Sequence, residues 1–397
     1  MTKYNFSSRV PLTNDNPFGE ILTVASKPSI VSFAGGLPAP ELFPVAEIQA
    51  AANRVFDEAG QTVLQYSLAQ GNLQLRQLIS QYMQTRGLND APDDLLITTG
   101  SQQGLDLIAE MMVNPGDVVI SEKPTYLSAL DVFKTYGAET VGVDMDADGM
   151  KMDELEATLK RHPNTKLVYV VPNFQNPTGN SMSLARRQRL VALAEQYDFL
   201  IIEDDPYGAI RYAGDPIAPI KSLDSNGRVL YTGTFSKILA PGLRLGWISA
   251  ASELITKLTL LKQFEDVHSD NLTQAIIAQY MQDNDMQKHI DHITSNYRDR
   301  GETMHAAIEK YFPAGTELTH PEGGMFLWVK LPGNPDIDQL FAECIKNNVA
   351  FVPGAPFFPD NPETNTMRMN FSNRSVAEIE SGIKKMGAVI SSLIYAK

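Results

Sequence analysis

Cysteine is almost absent from this chain of 397 residues: Cys344 stands alone, so no intrachain disulfide can form and nothing in the sequence relies on an oxidising compartment. Long apolar runs are missing too, and none approaches the length of a membrane span. The opening MTKYNFSSRVPLTNDNPFGE has neither the apolar stretch of a signal peptide nor the Arg-rich pattern of a transit peptide. A cytosolic location and no membrane partner are the expectation. Basic residues are in deficit: 33 Lys and Arg against 47 Asp and Glu give a formal charge of −14, and such a surface repels phosphate backbones on average. Nucleic acid is therefore not an expected partner, although a cleft with its own arginines sets a local potential that the average does not describe. The chain has no Walker A sequence and no G-x-G-x-x-G after a strand, which leaves nucleotide hydrolysis and dinucleotide redox without a foothold. His289 and His292 lie three apart on a predicted helix, but no nearby acidic or cysteine set completes a metal pattern, so they read as solvated helix residues and no metal is expected. Cys344 falls at helical spacing with Ile337, Leu340, Phe341 and Ile345 and reads as a core residue.

What is present is an ordinary globular composition, 43% hydrophobic and 20% charged, which excludes disorder and fibres. The length exceeds that usual for one domain, so two are expected. From about residue 75 to 250, amphipathic helical stretches alternate with short apolar runs: 94–99, 117–121, 166–171, 199–203 and 228–232. Each run is nearly continuous in Val, Ile and Leu, as strands covered on both faces are. This predicts an α/β fold with a mostly parallel sheet sandwiched by helices. Helical patterning from about Glu253 to Tyr311 is followed by two strand-like runs, 326–330 and 367–371, flanking a helix around Phe341, which predicts a smaller α+β domain. The expected division is an N-terminal arm at 1–45, a large domain at 46–295 and a small C-terminal domain at 296–397. The sequence shows no internal repeat.

Parallel sheets bind ligands beyond the carboxyl ends of their strands, so the residues that follow each run carry the most information. Gly100-Ser101-Gln102 follows the first run and opens a helix whose free N–H groups suit a phosphate. Asn173-Phe-Gln-Asn176-Pro-Thr-Gly179 and Glu203-Asp204-Asp205-Pro-Tyr207 are polar clusters after the third and fourth runs; alone, each reads equally as turn chemistry. After the fifth run, Thr234-Phe-Ser236-Lys237 leads to Gly242-Leu-Arg244 in an otherwise uncharged stretch. An apolar strand end desolvates a lysine, lowers its pKa and frees its amine to form a Schiff base. Arg244 offers a fork of donors to a phosphate.

These elements resemble, in order, the fold-type-I aminotransferases that use pyridoxal 5′-phosphate (PLP), and most of all the branch holding 2-aminoadipate and kynurenine aminotransferases and the enzyme-like half of MocR regulators. The resemblance spans nearly the whole chain and rests on Phe33-Ala-Gly-Gly36-Leu-Pro, Gln65-Tyr66, Gly100-Ser-Gln102, Pro124-Thr-Tyr126, Asn176-Pro-Thr-Gly179, Asp204 with Tyr207, Ser236-Lys237, Gly242-Leu-Arg244 and Arg368-Met-Asn370-Phe-Ser372. It implies a PLP large domain in which Lys237 anchors the cofactor and moves the proton between Cα and the cofactor carbon. Asp204 would pair with the pyridinium nitrogen, Asn176 and Tyr207 would hydrogen-bond the ring hydroxyl oxygen, and Tyr126 would stack on the ring. Ser101, Gln102, Thr234, Ser236 and Arg244 would hold the phosphate, with Tyr66 reaching it from the neighbouring subunit of a homodimer with shared active sites. Thr234 stands where the family more often has serine, and either hydroxyl donates. Arg368 would bind the substrate α-carboxylate beside Asn176 and the Gly35-Gly36 backbone.

The activity implied is amino transfer between α-amino acids and 2-oxo acids, with aromatic, branched-chain and 2-aminoadipate donors all open and 2-oxoglutarate and glutamate as the expected common pair. Two alternatives use the same scaffold. A PLP-dependent lyase would break a different bond from the same starting complex. A ligand-sensing regulator of the MocR kind would carry an N-terminal DNA-binding module, for which an enzyme-like pattern beginning by Phe33 leaves no room.

Overall fold

The computed structural model describes residues 4, 6–10, 19, 23, 27–333 and 335–395. Part of the expected arm, residues 1–45, lies outside the described residues. In chain order the strands are β1 (Val31–Ser32), β2 (Leu95–Thr98), β3 (Val118–Lys123), β4 (Glu139–Asp146), β5 (Gly149–Met150), β6 (Thr165–Val170), β7 (Leu200–Asp204), β8 (Val229–Thr234), β9 (Gly246–Ser249), β10 (Glu317–Leu318), β11 (Phe326–Lys330), β12 (Val349–Ala350), β13 (Val352–Pro353) and β14 (Thr366–Asn370). The helices used below are α1 (Val45–Val63), α2 (Leu73–Gln84), α3 (Ser101–Met112), α4 (Leu127–Thr135), α5 (Met152–Arg161), α6 (Leu184–Tyr197), α7 (Ser252–Glu265), α8 (Asn271–Asp283), α9 (Met286–Tyr311), α10 (Ile337–Lys346) and α11 (Val376–Tyr395).

Eight strands form the large sheet in the order β2-β9-β8-β7-β6-β3-β4-β5. From β4 to β8 the neighbours run parallel. The central strands are buried along almost their whole length because helices cover both faces, which is what their unbroken Val, Ile and Leu runs require. All five apolar runs read from the sequence are strands of this sheet. Three strands escaped that reading, one of them the two-residue β5. β4 lies toward the edge and is half exposed, so its residues are too polar to stand out. β9 runs antiparallel between β8 and β2, just beyond the stretch that carries Lys237 and Arg244. The space between these strands is narrow: a Cβ on Gly246 would lie 2.7 Å from the Gly233 carbonyl oxygen and 2.8 Å from the Ser101 backbone nitrogen.

The second sheet is antiparallel, in the order β10-β11-β14-β13, and contains both strand-like runs expected near the C-terminus. Arg368 on β14 stands opposite Trp328 on β11 and Val352 on β13. β1 pairs in parallel with β12, and the extended line continues as Phe33 donates to Ala350 O and accepts from Asn370 N. These bonds lay Ala34, Gly35 and Gly36 beside β14. The chain passes between the two sheets along the single helix α9, which continues through residue 295 and packs against α11.

Candidate active site

An anion cradle forms where β2 and β8 end. Gly100 sits at φ +79°, a left-handed turn that glycine adopts freely, and leads into α3 at Ser101. The first N–H groups of α3 have no partner within the helix and carry its positive end. Arg244, itself at φ 52°, lies over this turn: its Nη2 donates to Thr99 O at 3.3 Å, and a Cβ on Gly100 would approach that same nitrogen to 2.6 Å. From β8, the Thr234 hydroxyl donates to Ser236 Oγ at 3.0 Å and accepts from the Ser236 backbone nitrogen at 3.1 Å. Helix end, hydroxyls and guanidinium thus converge on one place.

Asp204 ends β7 as a buried carboxylate. Thr232 on β8 donates to its Oδ1 at 2.7 Å and Tyr169 on β6 donates to its Oδ2 at 2.8 Å. Burial pushes its pKa up to about 6 even though both hydroxyls pull it down. Neither Tyr169 nor Thr232 was singled out in the sequence. The available signal was a hydroxyl in a buried strand beside an acidic strand end, with Thr232 in register with Asp204. The next residue, Asp205, ties the two polar loops together. It accepts from Arg86, Tyr231, Asn173 and the Gly208 backbone, at 2.8 to 2.9 Å. Asn173 belongs to the loop that presents Asn176, whose Nδ2 lies 3.4 Å from the Tyr207 hydroxyl.

Lys237 points into the same space, with Nζ donating to Gly36 O at 2.9 Å. Burial, then the positive charges of Arg368 and Arg244, bring its pKa down to about 8. Arg368 donates to Asn176 Oδ1 at 2.8 Å and to Ala34 O at 2.7 Å. Its guanidinium carbon lies 4.4 Å from the ring centre of Phe326 and 4.9 Å from that of Phe357, a contact that suits a planar cation. Among the described residues its Nε has no partner, and burial brings its pKa down to about 10. Among the described residues no carboxylate pairs with Lys237, Arg244 or Arg368. Tyr126 OH lies 3.5 Å from Gln102 Oε1, and burial raises the phenol pKa.

Every site residue expected from the sequence except Tyr66 lines one cavity of about 880 Å³: Gly36, Ser101, Gln102, Tyr126, Asn176, Asp204, Tyr207, Thr234, Ser236, Lys237, Arg244 and Arg368. Tyr66, between α1 and α2, is 80% exposed and meets His268 edge-on at 5.8 Å, away from the cavity of its own chain. Arg374 also lines the cavity and was not anticipated. Elsewhere, Cys344 is buried with its thiol pKa pushed up to about 12 by desolvation, as a core residue's is. His289 packs edge-on against Tyr280, and His292 is exposed. Among the described residues no group of three or more His, Cys, Asp or Glu could hold a metal ion, and no helix is long and apolar enough to cross a membrane.

The donor set fits PLP. The cradle offers a helix end, hydroxyls and a guanidinium to a phosphate. Asp204, a buried carboxylate with only neutral donors, lacks the cation that a protonated pyridine nitrogen would supply. Lys237 offers an amine with a lowered pKa to the aldehyde. Asp204 is the sole carboxylate lining the cavity among the described residues, against several cations. The cavity thus attracts an anion in a protein whose overall charge is −14.

The family "Aminotransferase class I and II" matches residues 34–386. The chain is 43% identical over 376 residues to the aromatic-amino-acid aminotransferase 1 of Thermococcus litoralis, covering 94% of this chain and 90% of that one. The kynurenine aminotransferase of Pyrococcus horikoshii, solved in complex with PMP, superposes with a TM-score of 0.94 at 40% identity, covering 98% of this chain and 97% of that one. An α-aminoadipate aminotransferase of Thermus thermophilus, solved with N-(5′-phosphopyridoxyl)-L-leucine, does so with a TM-score of 0.89 at 33% identity, over 97% and 96%. With the family matched along most of its length and a cavity that suits the cofactor, the chain belongs to the class I and II aminotransferases and is a PLP-dependent transaminase.

Proposed function

We propose that the enzyme takes amino groups from aromatic, branched-chain or 2-aminoadipate-like amino acids, uses 2-oxoglutarate and glutamate as one substrate pair, and works in the cytosol as a homodimer. The observation that carries the substrate reading is Arg368, a buried guanidinium with no carboxylate partner among the described residues, in the cavity that Lys237 enters. A buried cation without a counter-ion is costly, and a substrate α-carboxylate supplies that counter-ion. Asn176 and the two phenyl rings hold the guanidinium still, so the bound amino acid presents Cα to the lysine rather than turning freely.

PLP, when bound, supplies the electron sink that stabilises negative charge at Cα. Asp204 would face the ring nitrogen and keep a proton on it, with Thr232 and Tyr169 fixing the carboxylate's direction. Ser101, Gln102, Thr234, Ser236 and Arg244 would hold the phosphate. Asn176 and Tyr207 would hydrogen-bond the ring hydroxyl oxygen, and Tyr126 would cover the ring. Lys237 Nζ, with its pKa near 8, would carry the proton between substrate Cα and the cofactor's aldehyde-derived carbon. The homodimer reading rests on exposed Leu64, Tyr66, Leu68 and Leu73, an apolar stretch that a second copy would cover while Tyr66 reached that copy's phosphate cradle.

The test is a panel of amino acids incubated with 2-oxoglutarate and scored for glutamate, with Lys237→Ala beside the wild type. Selective glutamate formation that vanishes in the variant is the expected result. Retained turnover in Lys237→Ala would sink the assignment of that lysine. Pyruvate and ammonia formed without any 2-oxo acceptor would replace amino transfer with a lyase reaction.

A further inference from the structure

Arg368 is not the only arginine reaching the cavity from the end of β14. Four residues beyond the strand, Arg374 also lines it. Both side chains donate to the same extended segment: Arg368 Nη2 to Ala34 O at 2.7 Å, and Arg374 Nη2 to Ile30 O at 3.2 Å. That segment is held straight by pairing with residues 348–350, through bonds from Val31 N to Asn348 O and from Phe33 N to Ala350 O. The two accepting carbonyls lie four residues apart along this segment, either side of β1, which is about 13 Å at roughly 3.3 Å per residue if the segment is extended throughout. Between them, Ser32 also lines the cavity.

Arg374 has donors to spare. Among the described residues its Nε is buried with no partner, and its side chain is 26% exposed. Among the described residues the carboxylate paired with it, Glu378 Oε1, stands off at 3.6 Å from Nη1, beyond hydrogen-bond length. Glu378 instead accepts from the Ser375 hydroxyl at 2.6 Å and the Ser375 backbone at 3.0 Å, an arrangement that caps the start of α11. The guanidinium is thus only loosely matched.

We propose that Arg374, assisted by Ser32, binds the distal carboxylate of a dicarboxylic substrate whose α-carboxylate sits on Arg368. This rests on the reading of 2-oxoglutarate and glutamate as one substrate pair and assigns the residue that selects them. The span suits five-carbon and six-carbon dicarboxylates. An extended five-carbon chain separates its carboxyl carbons by about 5 Å, and a guanidinium carbon in a paired contact stands about 4 Å from each. Together these make roughly the separation of the two anchoring carbonyls. A substrate without the second carboxylate would leave Arg374 with Glu378 as its loose partner and would bind through its side-chain packing instead.

The experiment uses the PLP-loaded enzyme and two unreactive probes of equal length, glutarate and pentanoate, titrated calorimetrically. Glutarate is expected to bind at least about ten-fold more tightly than pentanoate, the scale of one charge-assisted pair. Arg374→Met is expected to remove that preference, and Glu378→Gln, which keeps a cap on Ser375 but frees the arginine, to enlarge it. In turnover, the KM ratio of 2-oxopentanoate to 2-oxoglutarate should collapse in Arg374→Met by a similar factor. A ratio that stays put while both KM values rise would show a structural role and overturn the proposal, as would a glutarate preference that survives Arg374→Met. Arg374→Lys guards against a misfolded variant, because it keeps the charge and should retain part of the preference. If the wild type binds both probes alike and fails to use 2-oxoglutarate, the substrate pair itself is wrong. If it uses 2-oxoglutarate well and Arg374→Met does so equally, only the role of Arg374 is wrong.

Discussion

Asp204 and Lys237 are each held in the ionisation state their surroundings oppose, and both should show it in the pH dependence of stability once the cofactor is removed. Asp204 has its pKa raised from 3.8 to about 6. A carboxyl whose folded pKa lies above its unfolded one favours folding in its protonated form, so the stability it contributes is lost as pH rises through about 6. Asp204→Asn is therefore expected to raise the melting temperature of the cofactor-free protein above about pH 6, with the gain fading toward pH 4, while amino transfer by the loaded enzyme falls by at least about a hundred-fold, the scale of a lost electrostatic contact at a reacting centre. A scanning-calorimetry series across that pH range decides it, and an unstabilised variant at neutral pH refutes the argument. Lys237 shifts the other way, from 10.5 to about 8. Its charged form is disfavoured in the fold, so the penalty is full below about pH 8 and disappears as pH rises toward 10.5. Lys237→Met should accordingly stabilise the cofactor-free protein near pH 7 and lose that advantage in alkaline buffer. At this scale the sequence was legible where residues punctuate a strand end. Asp204, Asn176 and Lys237 each follow an apolar run and stand out by contrast. Tyr169 and Thr232 did not, because a hydroxyl within a buried strand looks like strand composition until the register with Asp204 is known.

Elements were legible to the degree that burial made them uniform. β2, β3, β6, β7 and β8 are covered on both faces and read as unbroken Val, Ile and Leu. β4 is half exposed and β9 is glycine-led, so neither carried the signal. Yet β9 bears on the phosphate cradle as directly as β8 does, because Gly246 packs against both the β8 backbone and the first amide of α3. Gly246→Ala would push a methyl group onto the Gly233 oxygen and the Ser101 nitrogen, both backbone atoms that cannot swing aside. A loss of about 1–3 kcal/mol is expected from such overpacking. The displaced amide belongs to the cradle, so PLP affinity should fall together with stability. Fluorescence titration of PLP against the cofactor-free variant, alongside denaturant unfolding, checks both at once. Reduced stability with unchanged PLP affinity would show that the α3 amide takes no part in holding the phosphate.

The whole molecule sets a site that gathers cations inside a chain of net charge −14, a contrast the composition could not reveal because charge counts carry no positions. The composition was equally silent on how copies associate, although the structure shows where apolar surface is left over. Leu68 is 71% exposed, Phe264 is 75% exposed, and the edge-on contact between Tyr66 and His268 brings the 64–73 stretch beside the end of α7 and the turn after it. Exposed large apolar side chains this close together are expected at an interface rather than in water. If a second copy covers them, charge placed there should separate the copies, because a buried carboxylate without a partner is strongly unfavourable. Leu68→Glu is expected to shift the protein from dimer to monomer in sedimentation. It should also weaken PLP retention, because Tyr66 would leave the neighbour's cradle. Tyr66→Phe isolates the second effect: the dimer should persist while PLP is held less tightly. A wild type that sediments as a fully active monomer would remove the shared site, and a Tyr66→Phe dimer with unchanged PLP affinity would remove Tyr66 from it while leaving the dimer intact.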